Sequence, residues 1–375
     1  MPLEILQGAG NCINAPSYLP TTSPTNEFIP ITLTLNNSKW IYCNAEEKIK
    51  TATASNGMHL NRVTVSSGTH QLFYSYFNET GGNKFGIQIS NPNAGAISFT
   101  INKYGHAQGN DFHGVAKNSW VNFFNSTPSA TQTIPSNGKI WVCENTMPTS
   151  AAQPFSGILN FTVTNNAIVT AYAYSSTSSV PAITEPFKQT VPTPKMWSGY
   201  GDGYLYTSSR ITIDAKDLVG KNKFFYLATK TSEYFPKVGS TIKSDIIPLY
   251  GVNTVNGVTT KGPSADDNLG NWGVQYDLLF DFKNSLETEE KTINLYVRPA
   301  TAYQYDNHPI FNYKGTVYGF MVGPSTPATA WKFARIKIPA KTTTAIQETI
   351  QHIIGTNGSP GNLGSTGHII YFSLT

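Results

Sequence analysis

The sequence predicts an all-β protein: two β-sandwich domains, of jelly-roll or immunoglobulin-like type, preceded by an extended N-terminal arm. Three observations lead there. In residues 83–103, NKFGIQISNPNAGAISFTINK, apolar side chains recur at every second position, first Phe85, Ile87 and Ile89 and then Ile97, Phe99 and Ile101. Each run can therefore bury one face and wet the other. Charged residues make up only 13% of the 375, whereas Thr, Ser, Asn, Gly, Pro, Tyr and Phe abound, the make-up of strands joined by tight turns. Strand-like runs separated by turn signals also recur on both sides of a stretch at 175–194 that is rich in Ser, Thr and Pro. The length suits two domains, each with its own core.

Taken in order, the chain opens with residues 1–28, which carry Pro2, Pro16, Pro20 and Pro24 and no sustained period. Such an arm either lies along its own domain or adds a strand to a neighbouring subunit, and the sequence leaves both open. The first sandwich is expected over 29–184. Its strands are 31–35, 40–43, 60–65, 71–77, the two runs of 83–103, 120–124, 139–143, 158–164 and 167–174. Asn91-Pro92-Asn93-Ala94-Gly95 has the residues of a tight turn, so 83–103 reads as a β-hairpin. Residues 105–114 read as a polar loop. The second sandwich is expected over 185–375, with strands at 210–213, 223–229, 245–252, 273–282, 293–297, 316–322, 331–338 and 368–374. There 273–282 and 293–297 echo the hairpin of the first half. Residues 342–353, TTTAIQETIQHI, are open between strand and helix.

Several segments, NWGVQYDLLFDFKN, TINLYVRPATAYQY and WKFARIKIPAKTTTAI in the second half and NKFGIQISNP with TIPSNGKIWV in the first, resemble the β-rich cell-envelope and spore-surface proteins of Gram-positive spore-forming bacteria. The resemblance implies an extracellular location. It transfers no functional residues.

Composition narrows the partners. The excess of 26 Lys and Arg over 22 Asp and Glu is spread without a basic run, so nucleic acid is not the expected partner. No apolar run approaches the ~18 residues of a membrane span, and residues 1–10 lack the basic and apolar regions of a secretory signal. The Thr/Ser/Asn/Tyr-rich strands point to an extracellular or surface setting, reached after removal of a leader or without one.

No GxSxG, P-loop or HExxH pattern occurs, and no enzyme, cofactor or metal is expected. Cys12, Cys43 and Cys143 have no CxxC spacing; Cys43 and Cys143 end similar aromatic strands and could pair, leaving Cys12 free on the arm. Three buried thiols is the equal alternative. His106 and His113 flank Asn110 and Asp111, but a solvated loop explains them better than a metal. Asp266-Asp267-Asn268 and Tyr200-Gly201-Asp202-Gly203 read as turns. Trp197, Tyr200, Tyr204, Tyr303 and Tyr305 form a candidate platform for sugar rings, weighed against ordinary rim packing.

Two functions follow. One is a structural subunit of an extracellular, cell-surface or spore-surface assembly whose partner is itself, linked through Leu3, Ile5, Cys12 and Ile13 of the arm. The other is an adhesin or carbohydrate-binding protein that takes surface glycans.

Overall fold

The computed structural model describes residues 2–6, 13–14, 18–20, 26–44, 48–49, 58–80, 82–146, 153–175, 198–228, 247–249, 254–255, 258–259, 266–267, 273–286, 288–299, 308–322, 329–354 and 367–375. The chain divides into two compact units. One is Asn37–Tyr204 with Ile247–Asn268; the other is Met1–Asn36 with Leu205–Ile246 and Leu269–Thr375. The sequence places a single boundary near residue 185, inside the stretch that lies outside the described residues. The units are instead assembled from several segments, and the arm and residues 29–36 go with the second.

Eight core strands build the first unit: β1 (Met58–Val65), β2 (Gly68–Asn78), β3 (Asn83–Ser90), β4 (Ile97–Gln108), β5 (Gln132–Ile134), β6 (Lys139–Thr146), β7 (Gln153–Val163) and β8 (Ala167–Ser175). They form two antiparallel sheets, β6-β3-β8-β1 and β5-β4-β7-β2. Consecutive strands alternate between the sheets except at β4 and β5. This is the strand order of a jelly roll, so of the two sandwich types the sequence leaves open, the jelly roll is the one formed. Leu60, Val63, Phe85, Ile87 and Val169 of one sheet meet Leu72, Tyr74, Phe99, Phe155 and Phe161 of the other in one buried core. Burying each such side chain contributes about 2 kcal/mol.

Residues 83–103 are therefore not a hairpin. β3 pairs with β6 and β8, and β4 pairs with β5 and β7, so the turn between them arches from one sheet to the other. Alternation of side chains is the same in both arrangements, which is why the pattern did not separate them. Buried Asn91 pins the arch: its Nδ2 donates to the carbonyls of Gly95 (2.8 Å), Ile134 (3.0 Å) and Pro135 (2.9 Å), and its Oδ1 accepts from the Asn93 N–H.

A second correction concerns residues 105–125. β4 continues through Gln108, and Phe112–Asn125 is an α-helix, α1, where the sequence suggested a loop and then a strand. Asp111 caps it, its Oδ2 accepting the Gly114 N–H at 2.9 Å. Val115, Ala116, Ser119, Trp120 and Phe123 are buried at helical spacing. The helix docks on β4 at Gly105, where a Cβ would lie 2.0 Å from the Ser119 carbonyl oxygen.

The second unit repeats the plan. Its core strands are β9 (Asn222–Leu227), β10 (Gln275–Asn284), β11 (Lys291–Pro299), β12 (Pro309–Tyr313), β13 (Thr316–Met321), β14 (Thr329–Ile338), β15 (Thr342–Ile354) and β16 (His368–Leu374). They pair as β14-β11-β16-β9 and β13-β12-β15-β10, each strand standing where its counterpart eight numbers earlier stands in the first unit. Residues 342–353 are thus strand: β15 is held on both sides, by β10 and β12. The echo of the hairpin is again an arch, from β10 to β11. Phe280 meets Phe372 across the sandwich at 5.8 Å between ring centroids, and Phe311 stacks on Phe333 at 4.0 Å.

Candidate functional site

The described residues of the arm form short extended pieces, four of which lie along edge strands of the second jelly roll. Glu4–Ile5 and Tyr18–Pro20 pair antiparallel with β14. Ile13–Asn14 runs parallel to β13, and Asn26–Phe28 parallel to β9. Leu33–Leu35 pairs with Leu205–Ser208, which itself lies along β10. Outer strands of both sheets thereby gain partners for N–H and C=O groups that an edge leaves unpaired. In the single chain the described pieces of the arm dock on the second unit, one of the two placements the sequence left open.

Two side-chain anchors fix the start of the arm. Leu3 is buried, and its N–H donates to Glu348 Oε1 at 3.2 Å. The same carboxylate accepts from the Tyr313 hydroxyl at 2.9 Å, and the Lys314 ammonium stands 3.3 Å away. Glu348 is itself buried on β15 while Lys314 is exposed, so the anchor is a buried carboxylate held by charge-assisted bonds from the rim. One residue on, Arg335 of β14 grips Glu4 through Nε (2.6 Å) and Nη2 (3.1 Å). That hydrogen bond lowers the Glu4 carboxyl below the usual range and raises the guanidinium. Further along, Asn222 Nδ2 donates to Asn26 Oδ1 at 3.1 Å, Lys221 pairs with Glu27, and Phe28 packs against Phe224 and Tyr226. Of the predicted arm residues, Leu3 is buried, Ile5 is half-buried opposite Ala334, Ile13 lies opposite Phe320, and Cys12 falls outside the described residues.

A second cluster was not anticipated. His308, His352 and His368 are all buried inside the same jelly roll. His352 Nδ1 lies 3.2 Å from the Ile310 carbonyl, and its Nε2 lies 2.8 Å from His368 Nδ1. The carbonyl can only accept, so His352 carries its proton on Nδ1 and receives the His368 Nδ1–H on Nε2. The His352 ring stacks on Phe311, 4.7 Å between centroids. Burial pushes the His352 imidazole down to about 3 and His368 well below its ordinary value, with the two other histidines adding repulsion at His368. Both are held neutral. The repeated triplet His-Ile-Ile at 352 and 368 is the sequence signal of this pair.

The remaining candidates are placed as follows. Cys43 and Cys143 are free thiols, not a disulfide. They lie in opposite sheets of the first jelly roll, on Lys39–Cys43 and β6, and burial raises both to about 12. His106 sits on β4, not in a loop, with Nδ1 2.9 Å from the Tyr74 hydroxyl. Asp111 caps α1, and the His113 side chain is outside the described residues. Among the described residues no group of three or more His, Cys, Asp or Glu side chains could hold a metal ion, and no helix is long and apolar enough to cross a membrane. Of the aromatic platform, Trp197, Tyr303 and Tyr305 lie outside the described residues. Tyr200 is on the strand Ser198–Asp202, packed against the first core with Lys39 Nζ 4.8 Å from its ring centre, and Tyr204 is half-buried in the bend that follows.

No protein-family model matches this chain, and no curated protein does. Among solved structures, it is similar to a Paenibacillus xanthan lyase at 10% identity and a TM-score of 0.18, covering 96% of this chain and 26% of the lyase. It is also similar to the tandem CBM22 pair of Paenibacillus barcinonensis Xyn10C, at 8% identity and 0.18 over 98% and 99%. A third is Lactobacillus farciminis oxalate decarboxylase, at 11% and 0.12 over 91% and 87%. The chain thus spans about a quarter of the lyase. Likenesses this slight give no reading of function.

Proposed function

We propose that this chain is a structural subunit that assembles with copies of itself into an extracellular or surface layer or shell. The observation that supports it most is the repetition of one eight-stranded order, strand for strand, in the two halves of the chain. Jelly rolls of this order build viral shells as well as lectin and cupin domains, so the step from fold to role is an analogy. The interiors support the same role: each sandwich is filled by Phe, Ile, Val and Tyr side chains, as suits a rigid block.

Light scattering and electron micrographs of the purified full-length chain test the reading. Trimers, regular sheets or closed particles support it. A protein that stays monomeric across concentration and ionic strength overturns it, and retention of that monomer on a glycan array would favour the carbohydrate-binding alternative.

A further inference from the structure

We propose that the arm-binding edges of the second jelly roll are a subunit-exchange site, which in the assembled state takes residues 1–36 of a second copy. The proposal rests on the self-assembly reading above. Its starting point is connectivity. The arm docks on strands drawn from residues 205–375, yet it joins them covalently only through the intervening unit, Asn37–Tyr204. Leu3 reaches Glu348 across 345 residues of sequence, and Glu4 reaches Arg335 across 331. The arm is therefore a ligand of the second jelly roll that happens to be tethered to it.

The docking contacts suit exchange. Among the described residues they are five strands of two or three residues each. Each backbone bond contributes about 1 kcal/mol net, so the arm can be peeled off piece by piece. A vacated acceptor is costly, because it bares the edges of β14, β13 and β9 and leaves the buried Glu348 carboxylate without the Leu3 N–H. Some arm must refill it. An arm from a second copy restores the same contacts: Leu3 on Glu348, Glu4 on Arg335, Asn26 on Asn222. The exchange is then neutral in contacts, as in domain swapping generally. In an isolated chain the covalent tether favours the arm's own acceptor over that of a copy in dilute solution. In a packed layer the neighbours' acceptors stand at comparable concentration, and that preference disappears.

Ile5 and Ala334 stand directly opposite one another, which makes them reporters of whose arm is bound. In a Cys12→Ser background, Ile5→Cys and Ala334→Cys single variants are co-assembled in equal amounts, oxidised, and run on denaturing non-reducing gels. A disulfide between them can form only from one copy to another. The expected result is a dimer band in the co-assembled mixture and a ladder for the assembled Ile5→Cys/Ala334→Cys double variant. If the mixture gives no dimer and the double variant only a shifted monomer, the arm stays on its own chain and the proposal is overturned. Absence of any cross-link in the double variant overturns it too, because it denies the pairing on which the site is built. Failure of the parent protein to assemble would instead remove the self-assembly reading, and micrographs taken before oxidation tell the two apart.

Discussion

His352 and His368 show how much a single buried pair can govern. Each is held neutral by burial, with a folded-state pKa below the ordinary 6.5, so below pH 6.5 the unfolded chain binds more protons than the folded one. Their contribution is complete above pH 6.5 and is lost as the pH falls below it, for His352 over the range down to about 3. The slope is about 1.4 kcal/mol per pH unit for each histidine. Melting temperature measured between pH 7 and pH 5 should fall steeply for the parent protein and less so for a His352→Leu/His368→Leu variant. Equal slopes would show that the pair carries no such linkage. Asn91 makes a complementary case. Asn91→Ala strips the buried Ile134 carbonyl and the part-buried Gly95 and Pro135 carbonyls of their donor and should cost about 2 kcal/mol in denaturant unfolding, well beyond an exposed Asn→Ala control. Neither site was legible beforehand. A histidine's role depends on what surrounds it, and Asn91 looked like an ordinary turn residue because its Ile134 and Pro135 partners lie more than forty positions away.

At the scale of elements, alternation identified most core strands, since Phe85, Ile87 and Ile89, or Phe280 and Phe282, do face a buried interior, but it gave no strand at β5 or β12 and left β15 open. It was silent on which strand pairs with which. Arches and hairpins share one side-chain period, and only the partner strands, far off in sequence, decide between them. The helix α1 was missed for a different reason. Gly105 reads as the start of a loop, whereas here it is a close-approach site in mid-strand that lets a helix lie on β4. Lys103 Nζ donates to the Phe124 carbonyl at 2.9 Å, and Asn122 Nδ2 to the His106 carbonyl at 2.7 Å, so the docking is polar as well as tight. A Cβ at residue 105 would also come 2.3 Å from the Phe123 backbone nitrogen, and helix backbone cannot yield to it locally. Gly105→Ala should therefore destabilise the first jelly roll by about 3 kcal/mol. Gly109→Ala, where the nearest atom is the Val115 side chain at 3.6 Å, is the control expected to be near neutral.

At the scale of the whole molecule, the consequence lies in how the chain is threaded between its units. The Ser/Thr/Pro-rich stretch around residue 185 remains the place where the sequence expects a protease to cut first. A single cut there separates residues 1–185 from the rest in covalent terms, but it does not separate the arm from its acceptor. Residues 1–36 stay on the amino-terminal fragment, while β9, β13 and β14, which they edge, are on the carboxy-terminal one. The Leu3 to Glu348 and Glu4 to Arg335 contacts then become contacts between fragments. Nicked protein should elute from gel filtration as one species of the parent's size and fall into two only in denaturant. Deletion of residues 1–36 before nicking should weaken that association and leave the carboxy-terminal fragment prone to aggregate through its bared edges. If the fragments of the full-length chain part under native conditions, the arm's pairing with the second jelly roll is too weak to close its edges, and the acceptor described above has no occupant.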